Sequence, residues 1–194
     1  MANTLTIDKS RAAVVIMDYQ NDIVGMVPPE QQGPLLQRAR QVLDRSRQAG
    51  VPVFYVVVRF RGGYPEVSPR NKTFSGISQS GRMREGTPGA EIHSGVAPLP
   101  GEVVVTKRRV GAFSTTDLSA LLRARDIDMV VLMGVITRGC VLSTVRWAAD
   151  ADYCVVVLSD GCGDRDDEVH HMLMEKIFPG QATVVTAQEF VDAL

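Results

Sequence analysis

Unbroken runs of Val, Ile, Leu and Met alternate along this chain with segments whose apolar positions recur every three or four residues. "AAVVIMD" (12–18), "PVFYVVVRF" (52–60), "EVVVTK" (102–107), "DMVVLMGV" (128–135) and "YCVVVLSD" (153–160) read as strands. Between them, "LLQRARQVLDRSRQAG" (35–50) reads as a helix closed by a C-terminal glycine. "STTDLSALLRARD" (114–126) reads as a helix opened by a Ser or Thr cap, with Leu118, Leu121 and Leu122 on one face. "CVLSTVRWAADA" (140–151), "DEVHHMLMEKIF" (167–178) and "ATVVTAQEFVDAL" (182–194) continue the alternation. The strands are almost wholly apolar rather than alternating, the signature of strands covered on both faces of a parallel sheet. Strand–helix alternation with short connections then predicts right-handed βαβ units in an α/β fold, a three-layer α/β/α sandwich.

One segment breaks the rhythm. Residues 59–101 are rich in Gly, Pro and Ser and carry five arginines. A long segment of this kind inside a compact domain is either a solvated insertion or a functional element. The functional reading is a lid or an interface loop, with Arg59, Phe60, Tyr64, Arg82 and Arg84 as candidate contacts. The length, 194 residues, suits a single domain over 1–194, large enough to bury its core without staples.

A formal net charge of −1 gives no footprint for nucleic acid or an anionic membrane, so neither partner is expected. Three cysteines, at 140, 154 and 162, do not form the even, dense set of a disulfide framework. Reduced thiols fit a cytoplasmic setting. The opening "MANTLTIDKSR" lacks a basic-then-apolar leader pattern, and "MVVLMGVI" is too short to span a bilayer.

Ligands in open parallel sheets bind beyond the carboxyl ends of the strands. Asp18, Lys107 and Cys140 fall at three such ends. Singly, each has a plain reading: an Asp caps a turn, a Lys is a solvated charge, a Cys packs as a small hydrophobe. Together their chemistry is complementary. A helix N-terminus and a nearby ammonium stabilise a thiolate. A carboxylate can take the thiol proton and return it to a leaving amine. Backbone N–H groups in the turn from Ile136 to Cys140 could hold an oxyanion. That assembly describes acyl transfer from an amide to a cysteine.

"VVIMDYQNDIV" (14–24), "VTKRRVGAFSTTDL" (105–118) and "VLMGVITRGCVLSTVRWAADADYCVVVLSDGCGD" (131–164) resemble the three signature blocks of the isochorismatase-like cysteine hydrolases. The blocks carry D-x-Q-N-D, K-x-x-x-x-A-F-x-x-T-x-L and G-V-x-T-x-x-C-V, and the resemblance runs over essentially the whole chain. The family includes N-carbamoylsarcosine amidase, nicotinamidase, maleamate and ureidoacrylate amidohydrolases, and isochorismatase. The resemblance implies a six-stranded parallel sheet of order 3-2-1-4-5-6, usually in homodimers or homotetramers. It implies Cys140 as nucleophile, Asp18 as general base and then acid, and Lys107 as their electrostatic partner. It also implies a cis peptide between Val135 and Ile136 that aims the Ile136 and Cys140 amides at the oxyanion. Gln20 matches a pocket-facing position, and Thr137 joins it among the candidate substrate contacts.

Departures narrow the choice. Nicotinamidases carry a metal-binding D-x-H after the second strand, where this chain reads "VVVRFRG", so neither a metal nor nicotinamide is expected. His93 stands alone, and His171 and Glu175 make only a two-ligand coincidence one turn apart. No cofactor is required. Isochorismatase cleaves a vinyl ether without a cysteine nucleophile, so Cys140 favours amide chemistry. The expected substrate is a small carboxamide or N-carbamoyl compound, and the arginines suggest that it also bears a carboxylate. The rivals are vinyl-ether hydrolysis and a non-catalytic binding pocket. Cys154 is expected in the core and Cys162 in a half-exposed loop. The acidic run at Asp164, Asp166, Asp167 and Glu168 reads as charge at a helix N-terminus, and Trp147 as a core or an interface residue, with core preferred.

Overall fold

A computed structural model describes residues 5–194; the first four residues, part of the opening segment and of the 1–194 span, lie outside the described residues. Among the described residues, six strands form one all-parallel sheet: β1 (Ala12–Met17), β2 (Val53–Val58), β3 (Val103–Lys107), β4 (Met129–Val135), β5 (Cys154–Gly163) and β6 (Thr183–Val185). Their order is β3-β2-β1-β4-β5-β6. The chain runs outward from β1 to one edge, returns to β4, and runs outward to the other. The order therefore reverses between β1 and β4, which pair from Ala12 with Met129 to Met17 with Gly134.

Each central strand feeds both faces. Along β1, Val14 and Ile16 point into one apolar cluster while Ala13, Val15 and Met17 point into the other. The first cluster is closed by Ile23 and Val24 of α1 (Asn21–Val24), by Leu35, Ala39, Val42 and Leu43 of α2 (Pro29–Ala49) and by Phe190 of α7 (Ala187–Asp192). The second is closed by Leu118 and Leu122 of α4 (Leu118–Arg123) and by Val145 and Ala148 of α5 (Leu142–Asp150). The helix α6 (Asp167–Met172) runs on through a π turn to Ile177, and its continuation buries Leu173, Met174 and Phe178 on that same side. The layers are therefore α/β/α, as the apolar runs predict.

Several boundaries move. α2 begins six residues earlier than its apolar pattern suggests, at a Pro pair suited to a helix start, and ends at the left-handed Gly50 as expected. α4 begins only at Leu118, after a loop in which Thr116 Oγ1 donates to Ala112 O. β5 runs three residues beyond the expected end, so Cys162 is a buried strand residue, while Cys154, at the first position of β5, is exposed. Both cysteine placements reverse the sequence expectation. Trp147 is 37% exposed and stacks on Phe113 with ring centroids 3.9 Å apart, so it is a surface residue rather than a core one.

The 59–101 segment is not structureless. It holds α3 (Lys72–Ser80) and two single turns of 3-10 helix, at Pro88–Ala90 and Ser94–Val96. Asn71 caps α3 by accepting from Phe74 N, and Phe74 buries against Phe60 edge-on at 5.2 Å.

Candidate active site

The sheet brings three strand ends to one place. Asp18 directly follows β1, Lys107 is the last residue of β3, and Cys140 sits in a π turn (Thr137–Val141) after β4. Asp18 has φ +58°, a left-handed conformation that Asp tolerates better than most residues and that turns the chain off the strand. Its own N–H donates to Val56 O, keeping the residue in line with β2. Gly134 permits the close approach of the β4 end. A Cβ there would stand 3.1 Å from Met17 Cβ and from Val141 Cγ2. The Val135–Ile136 peptide that follows is cis, and Gly139 N donates to Ile136 O to close the turn.

All three side chains are buried: Asp18 is 5% exposed, Lys107 1% and Cys140 3%. They line one cavity of about 220 Å³. Lys107 Nζ donates to Asp18 Oδ2 at 2.6 Å and to Val110 O at 2.5 Å. The other carboxylate oxygen, Asp18 Oδ1, is buried without a partner among the described residues. Cys140 Sγ lies 3.3 Å from Val135 O and 3.6 Å from Ile136 O.

Burial raises the Asp18 carboxyl above the ordinary carboxylate range, against the pull of Lys107. Burial, with the Asp18 charge second, pushes the Cys140 thiol well up. The π turn runs without a break into α5, so Cys140 lies near the N-terminus of one continuous helical segment, and removal from water outweighs the ammonium. The resting thiol keeps its proton, beside a carboxylate able to accept it.

Ile136 lines this cavity, but seven other expected contacts do not. Gln20 is fully buried, with Nε2 donating to Val58 O and Ala90 O and Oε1 accepting from Val58 N. It ties the β2 end to the 59–101 segment. Arg59 donates to Ala90 O and pairs with Glu91 at 2.8 Å. Phe60 is buried in the core, and Tyr64 donates its hydroxyl to Arg82 O. Arg82 donates to Asp22 O, while Arg84 is exposed and off the cavity. Thr137 Oγ1 faces away from the cavity, 2.9 Å from His170 Nδ1.

The arginines that do line the cavity are Arg138 and Arg165. Arg138 is held by the buried Asp164, which takes its backbone N–H and two guanidinium bonds at 2.7–2.8 Å. Asp164 thus serves the nucleophile turn and not the α6 terminus, which Asp166 caps by accepting from Val169 N. Arg165 is exposed and makes no ion pair among the described residues. The strand-end rule would have found Arg165 had the end of β5 been placed at Gly163 rather than 160, while Arg138 lies in the turn after β4, within the Ile136–Cys140 stretch already read as the oxyanion turn. The rest of the lining is apolar apart from Thr73 of α3, with Ile23, Met26, Phe74, Ile77, Met83 and Val110 facing the reacting groups. Among the described residues no group of three or more His, Cys, Asp or Glu side chains could hold a metal ion, and no helix is long and apolar enough to cross a membrane.

Comparison with known proteins agrees with this geometry. The family model of the isochorismatase domain matches residues 12–189. An uncharacterized isochorismatase family protein of Bacillus subtilis (strain 168), YwoC, is 33% identical over 99% of this chain and 98% of its own length. The maleamate amidohydrolase of Pseudomonas putida is 30% identical over 82% of this chain and 74% of its own. The crystal structure of N-carbamoylsarcosine amidase from Thermoplasma acidophilum superimposes with a TM-score of 0.76 at 26% identity, covering 91% of this chain and 96% of that one. With the sheet order, the strand-end cavity and these matches together, the chain belongs to the isochorismatase family of hydrolases.

Proposed function

We propose that this hydrolase cleaves a small linear carboxamide or N-carbamoyl compound to an acid and ammonia through a thioester on Cys140. The observation that carries the reading is the convergence of a buried thiol, a buried carboxylate with one unpartnered oxygen and a buried ammonium on one cavity. Asp18 takes the thiol proton as Sγ attacks the amide carbonyl, and the Ile136 and Cys140 amides hold the oxyanion. Collapse breaks the C–N bond, the nitrogen takes the proton from Asp18, and ammonia leaves. Water then gives a proton to Asp18 as its oxygen attacks the thioester carbonyl. The C–S bond breaks and the proton returns to sulfur. Lys107 keeps Asp18 oriented and offsets its charge when it is ionised.

The raised thiol supports the order of these steps, because a nucleophile made only on contact with substrate needs an adjacent acceptor. Arg165, unpaired at the rim, suits a carboxylate on the substrate, the role the lid arginines were expected to fill. The test is ammonia release from a panel of N-carbamoyl amino acids, maleamate, ureidoacrylate, biuret and nicotinamide. Wild type turns over at least one member. Cys140→Ala lowers kcat by at least about a thousandfold, since no other group supplies the covalent step. Activity on a vinyl ether that survives Cys140→Ala and disappears in Asp18→Asn would replace amide hydrolysis with ether hydrolysis.

A further inference from the structure

We infer that the group attached to the scissile amide is an apolar arm, branched aliphatic or aryl, seated against the lid helix α3. The inference rests on the amide reading of the cavity and narrows its substrate class. Its ground is what surrounds the reacting groups. Asp18 and Lys107 offset each other, and Asp164 offsets Arg138, which leaves Arg165 at the rim as the one charge of the lining unpaired among the described residues. Opposite them the wall is built from Phe74 and Ile77 of α3, with Met26 and Met83 beside them and the exposed Thr73 as its one polar side chain. None of the four apolar side chains can recognise a polar substituent by a hydrogen bond of ordinary strength.

Phe74 and Met83 are almost wholly buried, whereas Met26 and Ile77 remain half-buried although both pack against the core. Their open faces border the cavity. Water there wets apolar surface that an apolar arm would cover, a gain proportional to the area removed from water. The wall is also fixed in advance. Asn71 caps α3 at Phe74 N, Phe74 packs edge-on against Phe60, and Phe60 N donates to Met83 O at 2.9 Å. A wall that need not reorganise loses little of that gain on binding. A short polar substituent would leave the same surface wet.

The experiment compares ammonia release from the N-carbamoyl derivatives of glycine, alanine, valine, leucine and phenylalanine. In wild type, kcat/KM rises roughly fourfold per added methylene up to an optimum at one of the larger arms. Ile77→Ala moves that optimum to a larger arm and Ile77→Phe to a smaller one. Each comparison is a ratio within one protein, so the folded fraction cancels. In parallel, calorimetry measures the binding of acetate, propionate, isovalerate and phenylacetate to Cys140→Ala. Affinity that climbs along this series without any amide turnover would keep the apolar arm and reject the amidase reading. Turnover that is flat along the series, or best for glycine, would keep the amidase and overturn the arm. An optimum unmoved by either Ile77 variant would overturn the assignment of the arm to α3.

Discussion

The cavity has two walls of opposite character. One is made by strand ends, where Asp18, Lys107 and Cys140 converge because the sheet register leaves them nowhere else to go. The other is made by the 59–101 segment, and there the charged residues turn away while Phe74, Ile77 and Met83, with Thr73 as the one polar side chain, face the cavity. A strand has its backbone groups satisfied by its neighbours, so a polar side chain at its end is free for chemistry. A long irregular segment must find partners for its own N–H and C=O groups, and its polar side chains are drawn into that task. Arg59, Tyr64 and Arg82, as well as Gln20 beneath them, all bond backbone carbonyls.

The largest effect should come from breaking the strand-end wall at its charge pair. Lys107→Ala leaves Asp18 buried without its cation, which costs about 3–5 kcal/mol in a pair of this kind. Chemical denaturation should show that loss, together with ammonia release below about a thousandth of wild type. The double variant Asp18→Asn, Lys107→Met removes both charges and should recover much of the stability but none of the activity. A single variant as stable as wild type would mean that the pair is far better hydrated than its burial implies.

An intermediate effect tests the wall made by the 59–101 segment. Gln20→Ala removes three buried hydrogen bonds to Val58 and Ala90 and should cost about 3 kcal/mol. If the side chain is only a tie between β2 and the 59–101 segment, KM per folded molecule changes little. Arg84→Ala, exposed on the same segment, should stay within about 0.5 kcal/mol of wild type. A large KM change in either variant would place that residue back among the substrate contacts.

The contrast also explains what was legible in the sequence. β1, β2 and β4 are buried on both faces, so their apolar runs announce them, and Asp18 after β1, Lys107 ending β3 and Cys140 after β4 announce the site, whereas Arg59 after β2 does not reach it. The family's spacing signals reinforced that reading. The failures lie where a residue's surroundings come from distant segments. Nothing near Cys154 or Cys162 tells which end of β5 is covered; that depends on α2 and the loop before it, which lie over Gly163. Asp164 looks like helix-cap charge until Arg138, 26 residues away, is brought beside it. α3 carries three serines and one glycine in nine residues, "KTFSGISQS", so its two apolar wall residues, Phe74 and Ile77, are easily taken for isolated apolar positions in a loop.

The smallest effect sharpens the rear of the strand-end wall, where His170 Nδ1 meets Thr137 Oγ1 at the start of the nucleophile turn. Burial first, and the neighbouring His171 second, hold His170 below its usual 6.5, against the opposing pull of Asp164 and Asp167. The sign follows from proton counting. Above pH 6.5 the imidazole is neutral in both folded and unfolded chains and adds no pH dependence. As pH falls below that value, the unfolded chain takes up a proton that the folded chain resists, so stability declines until the folded imidazole also titrates. His170→Asn keeps a hydrogen-bonding partner for Thr137 but cannot titrate. The stability difference between wild type and variant should be constant above pH 6.5 and shift against wild type below it, by less than about 1 kcal/mol because the ring is partly exposed. A difference that stays constant down to pH 4 would mean that His170 accepts its proton as readily in the fold as outside it, and that the turn bearing Cys140 does not sense the charge behind it.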